Sequence, residues 1–495
     1  MNLLQQLITG ASIAFLPMNL VIVVAGTAVG IIFGSLPGLT ATMGIALFIP
    51  VTFAMDATTG LILLGGVYTG AMYGGSISAI LIHAPGTPAA AATAFDGYEM
   101  TKKGQAGKAL TIATMSSFVG GVVGAVLLLL LAPPLARFSL RFGPAEYFAV
   151  AIFGLTIISS LTSDSINKGL ISGIVGVILG TVGMHPVTGQ ARLTFGQLAL
   201  LEGIPIVPAL IGLFSVSQII IMAEEIRKEN KTNVILDNKI WFNFREIISY
   251  WKEMLSCSVL GTFIGLIPGA GGDIASFVAY NEVKRFSKDK ESFGKGNPLG
   301  VVAAESANNG VTGGSLIPLL TLGIPGNSVT AVFLGGLIIQ GLRPGPQLFA
   351  EQGSITYAFI IGLILAKFCL LILGLPGSKI YQKILDVPKG ILMPVIFALC
   401  AVGSYALRNN LFDVYLMFGF GIMGYFFRKN GLHPAPVILG IILGPIAERN
   451  FHRLLTITES PIAFTLSQPI ALILIIFSVL SIFSPIFLNK LTSYE

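Results

Sequence analysis

Charge is what this chain has least of. Only 11% of its 495 residues are Asp, Glu, Lys or Arg, while 54% are hydrophobic and the mean hydropathy is +0.85. A water-soluble domain carries about 25% charged residues, so an ordinary soluble domain is excluded. Cysteine is scarce too. Cys257, Cys369 and Cys400 stand apart in apolar stretches, which excludes a disulfide framework or a paired-cysteine metal site. The four histidines form no HExxH and no pair at helical spacing, so no metal site is expected. Alternating strand-like segments are absent, which excludes a membrane β-barrel. The net charge of +6 lies in loops, where basic residues mark the cytoplasmic side of a membrane protein. It gives no reason to expect nucleic acid as a partner.

What the chain has is long apolar runs: Leu20 to Leu36, Leu61 to Ile82, Ala109 to Ala132, Phe148 to Leu161, Ile204 to Ala223, Ile355 to Leu375, Leu411 to Phe427 and Ile470 to Leu488. Each is about long enough to cross roughly 30 Å of hydrocarbon as a helix. The expected fold is an all-α polytopic membrane protein in contact with the lipid bilayer. It has roughly 11 to 14 crossings, depending on how interrupted segments are counted. The first apolar run has no basic segment before it, so no cleavable signal is expected.

The longest hydrophilic stretch, Glu224 to Glu253, holds six Lys/Arg and both tryptophans, Trp241 and Trp251. It reads as a cytoplasmic or interfacial linker over residues 224–253. It divides the chain into a first membrane repeat, 1–223, and a second, 254–495, with the C-terminal helices.

The two halves match. "GIIFGSLPGLTAT" from Gly30 aligns without a gap with "GTFIGLIPGAGGD" from Gly261. "GGSISAILIHAPGTP" from Gly74 aligns with "GGSLIPLLTLGIPGNS" from Gly313, with one residue inserted. The order GxxxGxxPG, then GGS, then PG therefore occurs twice, which argues for internal duplication. Loop charge gives the orientation. Between the paired motifs, Phe53 to Gly60 has no Lys or Arg, whereas Lys284 to Lys295 has five. After the second motif, Thr101 to Lys108 has three and Gly341 to Gly353 has one. The bias reverses at both matched loops, so the expectation is two inverted-topology repeats with Pro-Gly-broken helices or re-entrant hairpins at the midplane.

A break inside hydrocarbon needs a purpose, because each unsatisfied N–H or C=O costs several kcal/mol there. A Pro-Gly break ends one half-helix and begins another. The new N-terminus presents unpaired N–H groups and about half a positive charge, which suits a carboxylate. Close helix packing would use the same residues, but four breaks in two matched positions favour a built site. The candidate substrate-binding residues are Pro37, Gly38, Thr40 and Thr42 at the first break, and Gly75, Ser76, Pro85, Gly86 and Thr87 at the second. Pro268 and Gly269 form the third, and Asn308, Asn309, Ser315, Pro325, Gly326, Asn327 and Ser328 surround the fourth. Ionisable groups inside a membrane point to coupling. Asp273 and Glu305 are the cation-coupling candidates, although Asp273 would equally serve as a helix cap. Asp56 reads as a loop cap. Lys367 either snorkels or pairs with an acid.

These stretches resemble the large membrane subunit of the tripartite tricarboxylate transporters, the TctA type. The resemblance rests on "PGLTATMGIALFIPVTFAMD", "YTGAMYGGSISAILIHAPGTPAAAATAFDGYEMTKKGQAGKAL", "PGAGGDIASFVAYNEVKRFSKDKESFGKG" and "ESANNGVTGGSLIPLLTLGIPGNSVTAVFLGGLIIQGLRPGPQLF". It covers roughly the first 430 residues. It implies a permease of the cytoplasmic (inner) membrane that imports citrate-like di- or tricarboxylates using a cation gradient, Na+ or H+, with no other cofactor. It also implies two partners, a small membrane subunit and a periplasmic or surface-tethered solute-binding protein. The chain departs from the family at Ala304, where Pro is frequent, and at His83, where Asn is common. A stand-alone organic-anion permease or exporter is the alternative within transport. A membrane-embedded enzyme would need a nucleophile–base pair, a metal cluster or an acid dyad, and a channel a ring of like charges. The sequence displays none of these.

Overall fold

The computed structural model describes residues 3–161, 166–225, 243–375 and 389–492. The chain is helical almost throughout. In hydrocarbon a helix pairs its own backbone groups within one segment. The helices are α1 (Leu3–Ala14), α2 (Pro17–Ser35), α3 (Ala41–Thr52), α4 (Ala57–Ile82), α5 (Ala91–Lys102), α6 (Ala106–Ser139), α7 (Pro144–Leu161) and α8 (Ile166–Gly180). Next come α9 (Ile206–Leu210), α10 (Ser217–Glu225), α11 (Phe244–Ser249), α12 (Trp251–Leu266), α13 (Gly271–Phe286), α14 (Pro298–Gly314) and α15 (Leu316–Leu322). The last are α16 (Ser328–Ile339), α17 (Pro346–Glu351), α18 (Gly353–Gly374), α19 (Lys389–Ala406), α20 (Leu411–Lys429), α21 (Ala435–Ile457), α22 (Pro461–Ser467) and α23 (Pro469–Thr492). All eight apolar runs lie on helices. Among the described residues, six helices are long and apolar enough to span a membrane, or seven spans if the bent pair α22 with α23 counts as one. This is fewer than 11 full crossings, because the Pro-Gly breaks cut several spans into helices of half length. One two-stranded hairpin, Gly183–Met184 with Ala191–Arg192, is the sole sheet among the described residues.

The chain packs as two units. Unit 1 comprises Met1–Ala136 and Gln218–Leu399, and unit 2 comprises Arg137–Ser217 and Cys400–Glu495. Each unit draws one segment from each half of the sequence, so packing and sequence divide the chain differently. Of the linker, residues 226–242 lie outside the described residues, Trp241 among them. Trp251, at the start of α12, is 55% exposed, and Lys252 stands over its ring.

Unit 1 is built on two close helix pairs, α2 with α4 and α12 with α14. A Cβ on Gly30 would collide with Val67 O, and one on Gly261 with Ala307 O. Gly70 is closed off by Thr27 O in the first pair, and Gly310 by Ser258 O in the second. Gly74 meets Ile31 O and Gly314 meets Thr262 O. Small residues let two backbones approach this closely, and in a membrane such packing replaces the hydrophobic drive. The contacts also correct the alignment. They pair Gly74 with Gly314, so the second helices match without the inserted residue, in register with Pro85–Pro325 and Gly86–Gly326.

Unit 2 contains the hairpin. Glu448 on α21 accepts both Arg192 Nη1 (2.6 Å) and Nη2 (3.1 Å). His185 and His452 stand beside this pair, ring centroids 5.0 Å apart. The fold thus gathers two histidines that are far apart in sequence. The carboxylate there is already held by the guanidinium, and His185 Nδ1 accepts N–H groups of Val187 and Thr188. The cluster therefore pins the hairpin to α21.

Candidate functional site

The four breaks adopt two matched shapes. At the first and third, Gly38 (φ 91°) and Gly269 (φ 84°) take the left-handed backbone that Gly reaches without strain. At the second and fourth, α4 and α15 end in left-handed caps at His83 (φ 56°) and Gly323 (φ 74°). Ala84 N then donates to Ser78 O, and Ile324 N to Pro318 O, both at 3.3 Å. His83 is thus a helix terminator, exposed, with its ring 4.7 Å from that of Tyr98. His and Asn are among the few side chains enriched in this backbone region, which accounts for either residue standing there.

The breaks are tied together by backbone. Gly269 N donates to Gly326 O at 2.7 Å, and Gly86 N to Gly75 O at 3.2 Å. A Cβ on Gly86 would strike Gly34 O, and one on Gly326 would lie 2.7 Å from Gly265 O. Pro85 is exposed beside buried Gly86 and Thr87, whereas Pro268, Pro325 and Gly326 are all buried.

The helix starts differ. Thr40 caps α3 by accepting Met43 N (3.2 Å). Asn327 caps α16 with a reciprocal capping box to Thr330. The turn that leads into α5 follows Thr87, which makes no side-chain cap, and α13 follows Ala270, which cannot make one. These two uncapped starts adjoin. A Cβ on Gly272, in the first turn of α13, would lie 3.0 Å from Ala89 Cβ and 2.5 Å from Asn308 Oδ1. Asn308 donates to Met72 O (3.4 Å), while its Oδ1 and the Thr87 hydroxyl are buried without a hydrogen-bond partner. Thr87 Oγ1 is closely covered by Gly75, where a Cβ would displace it. The start of α13, the turn before α5, a buried amide oxygen and a buried hydroxyl, the last two without hydrogen-bond partners, therefore lie together. The dipole of α13 favours negative charge beside this amide and hydroxyl.

Tyr68 joins the fourth break. Its hydroxyl lies 3.0 Å from Ser315 Oγ and accepts Asn327 Nδ2 at 3.0 Å. Tyr68 was not among the sequence candidates. It precedes Met72 and Gly75 at helical spacing on α4, and that periodicity is the signal that could have found it. Not every candidate joins the cluster. Gly38 faces Met222 and Gln218 of α10, and Pro37 beside it is half-buried. Thr42 is buried within α3. Ser76 donates back to Tyr73 O (2.7 Å), which turns its hydroxyl into its own helix. Ser328 is half-buried in the first turn of α16.

The acids divide. Asp56 caps α4 through Thr58 N and Thr59 N, both at 3.1 Å. Asp273 is exposed in the first turn of α13, its Oδ1 turned back toward Gly271. Glu305 is fully buried, with Oε1 accepting Thr93 Oγ1 (2.6 Å) and Oε2 accepting Ser117 Oγ (2.7 Å) and Asn309 Nδ2 (3.4 Å). Lys367 does not snorkel, and it meets no acid among the described residues. It is fully buried, and Nζ donates to the hydroxyls of Thr69 and Thr312. Asp96, also missed, is buried. Its Oδ1 accepts Gly294, Gly296 and Asn297 N, and its Oδ2 accepts Tyr280 Oη. It folds the loop after α13 against α5.

The loops meet in crossed pairs. Lys103 Nζ of the loop after α5 donates to Lys295 O of the loop after α13. Lys108 pairs with Glu246 at 2.6 Å. Elsewhere, Gln340 Nε2, just before Gly341 to Gly353, donates to Thr52 O beside the loop before α4 (2.6 Å).

Spans interrupted in matched pairs, with polar groups buried at the interruptions, define a polytopic helical membrane protein with an internal polar site. Residues 20–439 match the tripartite tricarboxylate transporter TctA family. An uncharacterized 52.8 kDa protein of Agrobacterium vitis, in the TAR-I ttuC' 3' region, is 39% identical over 471 residues, covering 95% of this chain and 94% of the relative. A second Agrobacterium vitis protein, in the TAR-II ttuC' 3' region, is 38% identical over 211 residues, covering 43% of this chain and 87% of the relative. The chain belongs to the tripartite tricarboxylate transporter TctA family and is a membrane component of such a transporter.

Proposed function

We propose that this chain is the permease subunit of a secondary transporter that imports a citrate-like di- or tricarboxylate across the cytoplasmic (inner) membrane, driven by Na+ or H+. The observation that carries the reading is the pairing of the uncapped starts of the α5 turn and of α13 beside Thr87 and Asn308. The breaks carry no Lys or Arg, so backbone dipoles and neutral donors hold the anion, which permits release as well as binding. Gly269 and Gly326 share a backbone hydrogen bond, and Ser315 and Asn327 meet at Tyr68; with Pro268 and Pro325 they are assigned to the same substrate site. Asp273 and Glu305 are the coupling groups. A small membrane subunit and an extracytoplasmic solute-binding protein complete the system, as family membership suggests.

The inverted arrangement of the repeats belongs to the same reading. Inversion requires each loop to neighbour the unmatched loop of the other half, and the crossed contacts Lys103–Lys295 and Gln340–Thr52 follow that pattern. It places Thr101 to Lys108, Glu224 to Glu253 and Lys284 to Lys295 in the cytoplasm. The alternation of the chain between unit 1 and unit 2, once in each half, also fits a duplication.

The test is uptake of radiolabelled citrate and other di- and tricarboxylates by proteoliposomes under separately imposed sodium and proton gradients, with and without the partner subunits. Uptake driven by one gradient is expected, with Asn308→Ala raising its half-maximal carboxylate concentration at least about tenfold. Failure of every carboxylate, with both partners present, overturns the reading.

A further inference from the structure

Unit 1 buries three Asp, Glu, Lys or Arg side chains completely among its described residues: Asp96, Glu305 and Lys367. Asp96 is satisfied by three backbone N–H groups and a tyrosine hydroxyl. The other two have no salt bridge among the described residues, each touching only neutral groups. Both lie against one face of α14. Glu305, Asn309 and Thr312 follow at i, i+4 and i+7. Asn309 Nδ2 donates to Glu305 Oε2 at 3.4 Å, Thr312 Oγ1 donates to Asn309 O at 2.6 Å, and Lys367 Nζ donates to Thr312 Oγ1 at 2.9 Å. The carboxylate and the amine are thus linked through Asn309, by its side-chain amide on one side and its backbone carbonyl on the other, across two helical turns, roughly 10 Å along α14. The position is built for lysine. Gly121 of α6 lies against the stem, where a Cβ would come within 2.5 Å of Lys367 Cδ.

We propose that Lys367 is the resident counter-charge of Glu305, held away from it by α14. A buried charge is tolerated only when another charge or a full set of polar partners compensates it. Opposite charges at this separation still attract across a protein interior, and more than they would in water. The protein thereby carries its own cation near Glu305 and stays electroneutral there before any ion binds. The consequence for coupling, which rests on the role proposed above for Glu305, is that Lys367 takes the place of one transported cation. Removing it leaves room and need for a further one.

The test is a double-mutant cycle read by thermal unfolding of purified full-length protein in detergent, with choline chloride as the only salt. Lys367→Met and Glu305→Gln are each expected to lower the midpoint, and the double variant to melt above Lys367→Met. Additive losses overturn the inference. If Lys367→Met alone yields no monodisperse protein, recovery on adding Glu305→Gln supports the inference, and no recovery overturns it. Thr312→Val removes the link but keeps both charges. It is expected to cost less than Lys367→Met, and an equal loss places the role of Lys367 in hydrogen bonding and overturns a charge role. Sodium chloride should raise the midpoint of Lys367→Met at least threefold more than that of the parent protein. An equal shift removes the substitution for a transported cation. The cycle needs no transport, so a parent protein that moves no carboxylate defeats the proposed function without touching this result.

Discussion

The helix pairs α2/α4 and α12/α14 share a backbone but not a chemistry. Both bring glycines against facing carbonyls at matched positions, and both end in a Pro-Gly break closed on the other helix. Yet α4 runs unbroken from Ala57 to Ile82 and holds no acid, whereas its counterpart is divided at Ser315 into α14 and α15 and buries Glu305, Asn308 and Asn309. In the matched register Tyr68 stands for Asn308 and Thr69 for Asn309. The first copy therefore supplies hydroxyls to the polar groups of the second: Tyr68 to Ser315 and Asn327, Thr69 to Lys367. The two pairs share their glycine packing, while the acid buried beside the breaks lies in only one of them. Packing tolerates no change at a glycine that touches backbone, while a side chain pointing into the site can diverge freely.

The largest expected effects test the shared backbone. Gly86→Val and Gly326→Val should each cost at least about 3 kcal/mol, the upper end for overpacking, because the obstruction includes main chain that cannot rotate away. Yield of monodisperse protein and its melting midpoint are the measurements. If one copy accepts Val and the other does not, the matched packing is not equivalent.

Next comes the difference in polarity. Glu305→Leu should cost roughly 3–5 kcal/mol, since it strands the Thr93 and Ser117 hydroxyls and the Lys367 charge. Glu305→Gln should reduce coupled uptake far more than Asp56→Asn, because Asp56 only caps a helix. Normal uptake by Glu305→Gln with unchanged ion dependence would make the buried acid structural. Asn308→Ala and Tyr68→Phe occupy matched positions but should separate. The first should raise the carboxylate concentration for half-maximal uptake at least about tenfold, the equivalent of 1.4 kcal/mol. The second should cost about 1–3 kcal/mol of stability through its two lost hydrogen bonds, with a smaller effect on affinity. Equal behaviour would erase the contrast between the copies.

The crossed loops give a topological check. Single cysteines in place of Lys102 and Lys288, in a cysteine-free background, should resist impermeant thiol reagent in intact cells, while cysteines replacing Met55 and Arg343 should label. Labelling of Met55→Cys together with Lys288→Cys would make the copies parallel.

The smallest effect lies at the rim. Burial pushes the Glu246 carboxyl up, but hydrogen bonds from Lys108 and Tyr250 outweigh it and hold it below its usual range. Stability from this group is present at neutral pH and fades as pH falls through the lowered value. Lys108→Ala should therefore cost about 0.5 kcal/mol or less at pH 7 and nothing measurable once the acid is protonated. Melting at neutral and acid pH measures both.

Much of this protein was determined by its sequence alone. Apolar run length decides where helices lie, because hydrocarbon permits no unpaired backbone, and all eight runs became helices. The repeated GxxxGxxPG and PG motifs located the breaks for the same reason: only Gly and Pro mark such backbone so plainly. The tertiary structure decided what a one-dimensional pattern cannot carry. It set the register of α4 against α14, since three letters matched one residue out of step and only carbonyl contacts distinguish the two. It separated Thr40 and Asn327, which satisfy their own helices, from Thr87 and Asn308, which do not. It also gave Lys367 its partners, Thr69 and Thr312, far from it in sequence. Hydrogen-bond satisfaction is a property of distances between segments, and no spacing along one segment encodes it.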